Sequence, residues 1–159
     1  MRSFLFTRLK AWIEHGAPPP ATRWTPRTLS RKQSSRPRRL LVVDDEQAGA
    51  EAIVASLSMS GYEVQFVLSG QAAMHILAAW TPEIAVLDIN MPGMDGFAVA
   101  RQLRHDKRTQ HIAIVAFTAQ DEVAVRAAGI AAGFDGYCQK GAASDSLLRL
   151  LEQIAEMPR

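Results

Sequence analysis

From Arg39 onward, short unbroken apolar runs alternate with stretches whose apolar residues recur every three or four positions. Leu40-Leu41-Val42-Val43 contains no polar position, the pattern of a strand covered on both faces. Ala50, Ile53, Val54 and Leu57 follow at helical spacing, and Gly61 supplies a stop. Tyr62–Val67 alternates as a strand, and Ser69 is placed to cap a helix that turns Ala73, Ile76, Leu77 and Trp80 inward. After Pro82, Ile84-Ala85-Val86-Leu87 is a second wholly apolar strand. A Gly-, Pro- and Asp-rich loop over 90–96 leads into a helix with Val99, Ala100 and Leu103 on one face. The remaining pattern predicts a buried strand over Ile112–Phe117, an Ala-rich helix over 120–131, a short strand over Phe134–Gln139, and a last helix carrying Leu147, Leu150, Leu151 and Ile154.

Five successive βα units over 39–157 predict an α/β fold, a doubly wound five-stranded parallel sheet with right-handed crossovers. Strand order does not follow from periodicity. For five strands 2-1-3-4-5 is the leading choice, and it places ligands outside the carboxyl ends of the first and third strands.

The first 38 residues lack this pattern. Five of the eight prolines, Pro18, Pro19, Pro20, Pro26 and Pro37, fall there. Residues 1–39 carry a net charge of +9, against −7 for the remainder. Between Gly16 and Arg39 there is no acid and little that can pack, so 16–38 reads as a disordered, basic, Pro-rich linker. In 1–15, Leu5, Phe6, Leu9, Trp12 and Ile13 recur at helical spacing among Arg2, Arg8 and Lys10. Such a basic amphipathic segment suits an anionic membrane, a partner groove or nucleic acid, with a non-functional extension as the plainer alternative. The apolar run 4–6 is too short for a signal peptide, and no stretch reaches the roughly 18 apolar residues of a spanning helix. The single cysteine, Cys138, excludes a disulfide framework and fits a reducing cytoplasm.

The candidate chemistry sits at the expected switch point. The first strand ends in Asp44-Asp45, followed by Glu46, and the third ends in Asp88. Two like charges about 4 Å apart repel by about 4 kcal/mol at an effective dielectric near 20. A raised pKa or a bound cation must offset that repulsion. An all-oxygen donor set selects a hard ion, Mg²⁺ or Mn²⁺. No glycine-rich phosphate loop is present, and His15, His75, His105 and His111 have no metal-ligand pairing.

Four runs carry a resemblance: Leu41-Val42-Val43-Asp44-Asp45-Glu46, then Leu87-Asp88-Ile89-Asn90-Met91-Pro92-Gly93-Met94-Asp95-Gly96, then Phe117-Thr118-Ala119, then Gly136-Tyr137-Cys138-Gln139-Lys140. In that order they closely resemble the response-regulator receiver domain of two-component signalling, over 39–157. The resemblance implies a flavodoxin-like fold of order 2-1-3-4-5. It makes Asp88 the phosphoacceptor, Asp45 a direct Mg²⁺ ligand, Asp44 a holder of metal-bound water and the Asn90 backbone carbonyl a further ligand. Thr118 and Lys140 would stabilise the phosphoryl group, and Tyr137 would turn inward as Thr118 moves. The implied partners are a histidine kinase or phosphotransfer protein and a downstream protein met through residues 120–156. The domain would catalyse only its own phosphorylation and dephosphorylation. With the chain ending just past the last helix, a stand-alone cytoplasmic switch is expected.

Two other readings compete with this one. A hydrolase of the haloacid-dehalogenase type wants an acid two residues after the nucleophile, where this chain has Asn90. A phosphorylation-independent pseudo-receiver has one hint, Gly141 in place of the family's usual proline. Asn90 and Gln120 occupy positions where the family tunes phosphate lifetime.

Overall fold

Successive residues of the apolar runs face opposite sides of one sheet, and helices cover both sides. The computed structural model describes residues 20–30, 35–142 and 144–155, with Lys10 and Ile13 besides. The strands are β1 (Ala21–Arg23), β2 (Arg39–Val43), β3 (Glu63–Val67), β4 (Ile84–Leu87), β5 (Ala113–Thr118) and β6 (Gly136–Gln139). The helices are α1 (Gln47–Met59), α2 (Gly70–Leu77), α3 (Gly96–His105), α4 (Glu122–Ala132) and α5 (Ser144–Ile154). Across the sheet the order is β3-β2-β4-β5-β6-β1. β2 to β6 are parallel and follow the expected order 2-1-3-4-5, while β1 joins antiparallel at the β6 edge.

Leu41, Val43, Ala85, Leu87, Ile114 and Ala116 pack on one face with Ala73, Leu77, Val99, Leu103 and Val125 of α2, α3 and α4. Leu40, Val42, Ile84, Val86, Ala113 and Val115 pack on the other with Leu57 of α1 and with Leu147, Leu150, Leu151 and Ile154 of α5. β2, β4 and β5 each supply both cores, which is why their apolar runs contain no polar position. Local signals act as expected: Ser69 accepts from the Ala72 N–H at 3.0 Å to cap α2, and Asp95 does the same for α3 from Ala98. Phe134 lies just before β6. Its N–H returns to Gly129 O at 2.9 Å past the left-handed Gly133, closing α4.

The disordered linker expected over 16–38 is corrected for residues 20–30. Ala21, Thr22 and Arg23 pair with Cys138, Tyr137 and Gly136. The Gln139 N–H donates to Pro20 O at 2.8 Å, and the Trp24 and Thr25 N–H groups both donate to Asp135 O. Trp24 buries on the first face and Leu29 on the second, where the Leu29 N–H donates to Ile154 O. The segment needs no core of its own, because it borrows the β6 edge and wraps it from both sides. The amphipathic stretch read at 1–15 lies outside the described residues apart from Lys10 and Ile13.

Candidate functional site

β2 and β4 are neighbours with Val43 opposite Leu87, so Asp44 and Asp88 leave the sheet side by side. The Asp88 N–H donates to Val43 O at 2.8 Å and the Asp44 N–H to Val67 O at 3.2 Å. Each strand end then closes in the same local turn. The Glu46 N–H donates to Asp44 Oδ1, the Asn90 N–H to Asp88 Oδ1 and the Gln120 N–H to Thr118 Oγ1. These turns place three short polar side chains at the carboxyl edge of three adjacent strands. α3 seats closely behind Asp88, where a Cβ on Gly96 would collide with the Asp88 carbonyl oxygen.

Carboxylate oxygens of Asp44, Asp45 and Asp88 lie within 4.8 Å of one another. Asp44 and Asp88 are buried and Asp45 is exposed. Lys140 arrives from the end of β6, with Nζ 2.9 Å from Asp44 Oδ2 and 3.0 Å from Asp88 Oδ2. Its backbone N–H donates to Thr118 O at 2.8 Å. Burial raises the Asp88 pKa, opposed by the hydrogen bond and charge of Lys140 and reinforced by Asp44. Burial works to lower Lys140, but the adjacent carboxylates of Asp44 and Asp88 outweigh that and hold it above the usual lysine value.

The donor set fits a hard divalent cation. Three carboxylates face one ammonium, which leaves net negative charge. Asp44 Oδ2 is buried and receives no directed hydrogen bond, although it lies at ion-pair distance from Lys140. All candidate donors are oxygens, as Mg²⁺ and Mn²⁺ require.

The structure brings the remaining residues of the sequence reading to the same edge. Thr118 is fully buried at the end of β5. Tyr137 is buried, and its hydroxyl donates to Gln120 O at 2.6 Å. Burial, then Asp121 and Glu122, push that hydroxyl up to about 12. Gly141 adopts φ +87° with nothing near its missing Cβ. Proline cannot take that angle, so the loop differs locally from the family's usual one, yet Lys140 still reaches both acids. Two connections had no clear signal in the sequence. The Gln120 side chain bridges to Asn90, its Nε2–H donating to Oδ1. Trp24 stacks on Tyr137 with centroids 5.6 Å apart and planes 15° from parallel. A tryptophan in an otherwise unpackable tail was the only pointer to the second.

Comparison with known proteins agrees with this geometry. Residues 40–152 match the response regulator receiver domain family. Response regulator MprA of Mycolicibacterium vanbaalenii is 42% identical over 118 residues, covering 74% of this chain and 50% of that protein. MprA of Mycobacterium avium is 42% identical over 116 residues, with shares of 73% and 50%. The chain thus spans about half the length of these curated relatives. Among solved structures, a putative response regulator from Chloroflexus aurantiacus superposes with TM-score 0.72 at 30% identity, covering 77% of this chain and all of that one. The receiver domain of sensor histidine kinase PA1611 from Pseudomonas aeruginosa, solved with a magnesium ion in its active-site cleft, gives 0.69 at 25%, with shares of 76% and 99%. The paired acids after β2, the lone acid after β4, the hydroxyl at the end of β5 and the lysine after β6 therefore stand in a family framework: the chain belongs to the response regulator receiver domains.

Proposed function

We propose that this domain is a phosphoacceptor switch, taking a phosphoryl group onto Asp88 from a phosphohistidine of a histidine kinase or phosphotransfer protein. One observation carries the reading: the buried Asp88 carboxylate shares an oxygen-rich pocket with Asp44 and Asp45 and lies 3.0 Å from Lys140. A carboxylate oxygen of Asp88 bonds to phosphorus as the P–N bond of the donor breaks, and that bond's electron pair leaves with the imidazole. The resulting acyl phosphate is labile, which suits a reversible signal.

Phosphoryl transfer asks the protein mainly for positioning and charge. Asp44, Asp45, Asp88 and the Asn90 backbone carbonyl are the groups we assign to Mg²⁺, or Mn²⁺ in its place, with Asp44 acting through a bound water. Bound there, the ion supplies positive charge against the phosphoryl oxygens. Lys140 pairs with the new group from the other side. The Thr118 hydroxyl, which accepts from the Gln120 N–H, keeps its own proton to donate to a phosphoryl oxygen. Tyr137 and the surface of residues 120–156 would report the change to a downstream protein, and α1 would receive the donor. The domain catalyses only its own phosphorylation and dephosphorylation in this reading, and acts in the cytoplasm. Among the described residues no helix is long and apolar enough to cross a membrane.

The test is intact-mass measurement after incubation with Mg²⁺ and a small phosphodonor. Wild type should gain one phosphoryl group and Asp88→Asn none. Equal labelling of the variant would move the chemistry away from Asp88.

A further inference from the structure

We infer that residues 20–30 are a built-in ligand of the switch, with Trp24 seated on Tyr137 as a positioning residue for the phosphoryl pocket. The inference rests on the phosphoacceptor reading of Asp88 and adds an element of this chain to it.

The segment is held at many points. Besides the β1 pairing, the Trp24 Nε1–H donates to Glu122 Oε1 at 2.9 Å and the Thr22 hydroxyl to Glu122 Oε2 at 3.1 Å. Farther along, the Thr25 hydroxyl and the Arg27 Nε–H both donate to Asp135 Oδ1. Trp24 is 8% exposed and lies against Gly129 of α4, where a Cβ would stand 2.5 Å from Trp24 Cζ3. Only a residue without a side chain admits the indole there.

Contacts run without a break from this indole to the pocket. Trp24 covers one face of the Tyr137 ring. The Tyr137 hydroxyl holds Gln120 O, the Gln120 N–H donates to Thr118 Oγ1, and the Gln120 side chain holds Asn90. Asn90 lies two residues past Asp88 in the same loop, and Thr118 ends the neighbouring strand β5. With the segment docked, the indole covers one face of the Tyr137 ring and the Gln120 link to Thr118 and Asn90 keeps its anchor. With the segment undocked, the ring is uncovered and the anchor loosens. A pocket that must first be ordered binds its ligand more weakly. Segment docking and phosphoryl binding are therefore positively linked, by the same factor in each direction. The docked segment also fills the β6 edge, so any partner strand that would pair there must displace it.

The test is a titration of the full chain with beryllofluoride, a phosphoryl mimic, in the presence of Mg²⁺. Trp24→Ala removes the stacked ring. Gly129→Ala pushes the indole off its seat from a position where alanine favours the helix, so weaker binding cannot be laid to a damaged α4. Both variants should bind at least about fivefold more weakly than wild type, and Trp24→Phe should recover most of the loss by restoring a ring. Reciprocally, saturation of wild type should slow hydrogen exchange of the Trp24, Thr25 and Gln139 amides. Equal affinity in wild type and both alanine variants, or unchanged exchange at those amides, overturns the inference. Failure of both variants to fold would make the segment a structural strand and overturn it as well. If wild type takes up no beryllofluoride, the phosphoacceptor reading falls too, which separates the two failures.

Discussion

Lys140 sets the charge balance of the pocket. Its ammonium lies 2.9 Å from Asp44 Oδ2 and 3.0 Å from Asp88 Oδ2, and no second cation shares that position among the described ion pairs. Replacing it by alanine leaves two buried carboxylates facing each other. Lys140→Ala is expected to lose about 2 kcal/mol of metal-free stability, the usual worth of hydrogen bonds to charged groups. Mg²⁺ should then raise its melting temperature by more than it raises that of wild type. Melting curves with and without Mg²⁺ measure this, and an equal Mg²⁺ shift in the two proteins would argue against a shared cation pocket. The variant should still accept phosphate on Asp88, while partner affinity stops responding to it. Asp88, Asp44 and Asp45 were legible in the sequence because acids that terminate apolar strands stand out against them. Thr118, Lys140 and Tyr137 were legible only through the family motif, since a hydroxyl, a lysine or a tyrosine at a strand end has many ordinary uses. Gln120 as the bridge between two loops was not legible, because its partners Asn90 and Tyr137 meet it only once the sheet is assembled.

The elements divide in the same way. β2, β4 and β5 announced themselves as unbroken apolar runs because parallel strands are buried on both faces. Ser69 and Gly61 marked helix ends by local geometry alone. β1 gave no such sign. It is three residues long, sits between Pro20 and Pro26, and lies in the most basic part of the chain. Its pairing partner is the far-off β6, and its anchor is Asp135, a buried carboxylate just before β6. Asp135 also accepts from Arg104 Nη2 at 2.7 Å and from the Ile114 N–H at 2.9 Å. Asp135 thus ties residues 20–30, α3 and β5 together, while Arg104 is held mostly out of water. Asp135→Ala leaves that guanidinium the carbonyls of Gly133, Gln110 and Ile112 but no carboxylate, and is expected to cost about 3 kcal/mol in chemical denaturation. A loss below about 0.5 kcal/mol, the range of ordinary surface changes, would show that the two arginines find equivalent partners elsewhere.

On the scale of the molecule, a strongly basic N-terminal stretch is joined to an acidic domain and contributes structure to it. Removing residues 1–35 would unpair β6 and uncover the sites of Trp24 and Leu29. The truncated protein should melt at a lower temperature and associate with rising concentration, since an open strand edge invites a second copy. Calorimetry and sedimentation measure the two effects. An unchanged melting temperature would return residues 20–30 to the role of a passive linker. Residues 20–30 fill the β6 side of the sheet, while the oxygen-lined pocket lies at the carboxyl ends of its central strands, so the decisive quantity is what that pocket binds. Beryllofluoride titration of wild type and Asp88→Asn, each with and without Mg²⁺, reads it directly. Saturable uptake by wild type only when Mg²⁺ is present, and none by Asp88→Asn, is the expected result; uptake that ignores Mg²⁺ or survives the substitution contradicts an aspartyl-phosphate site at Asp88.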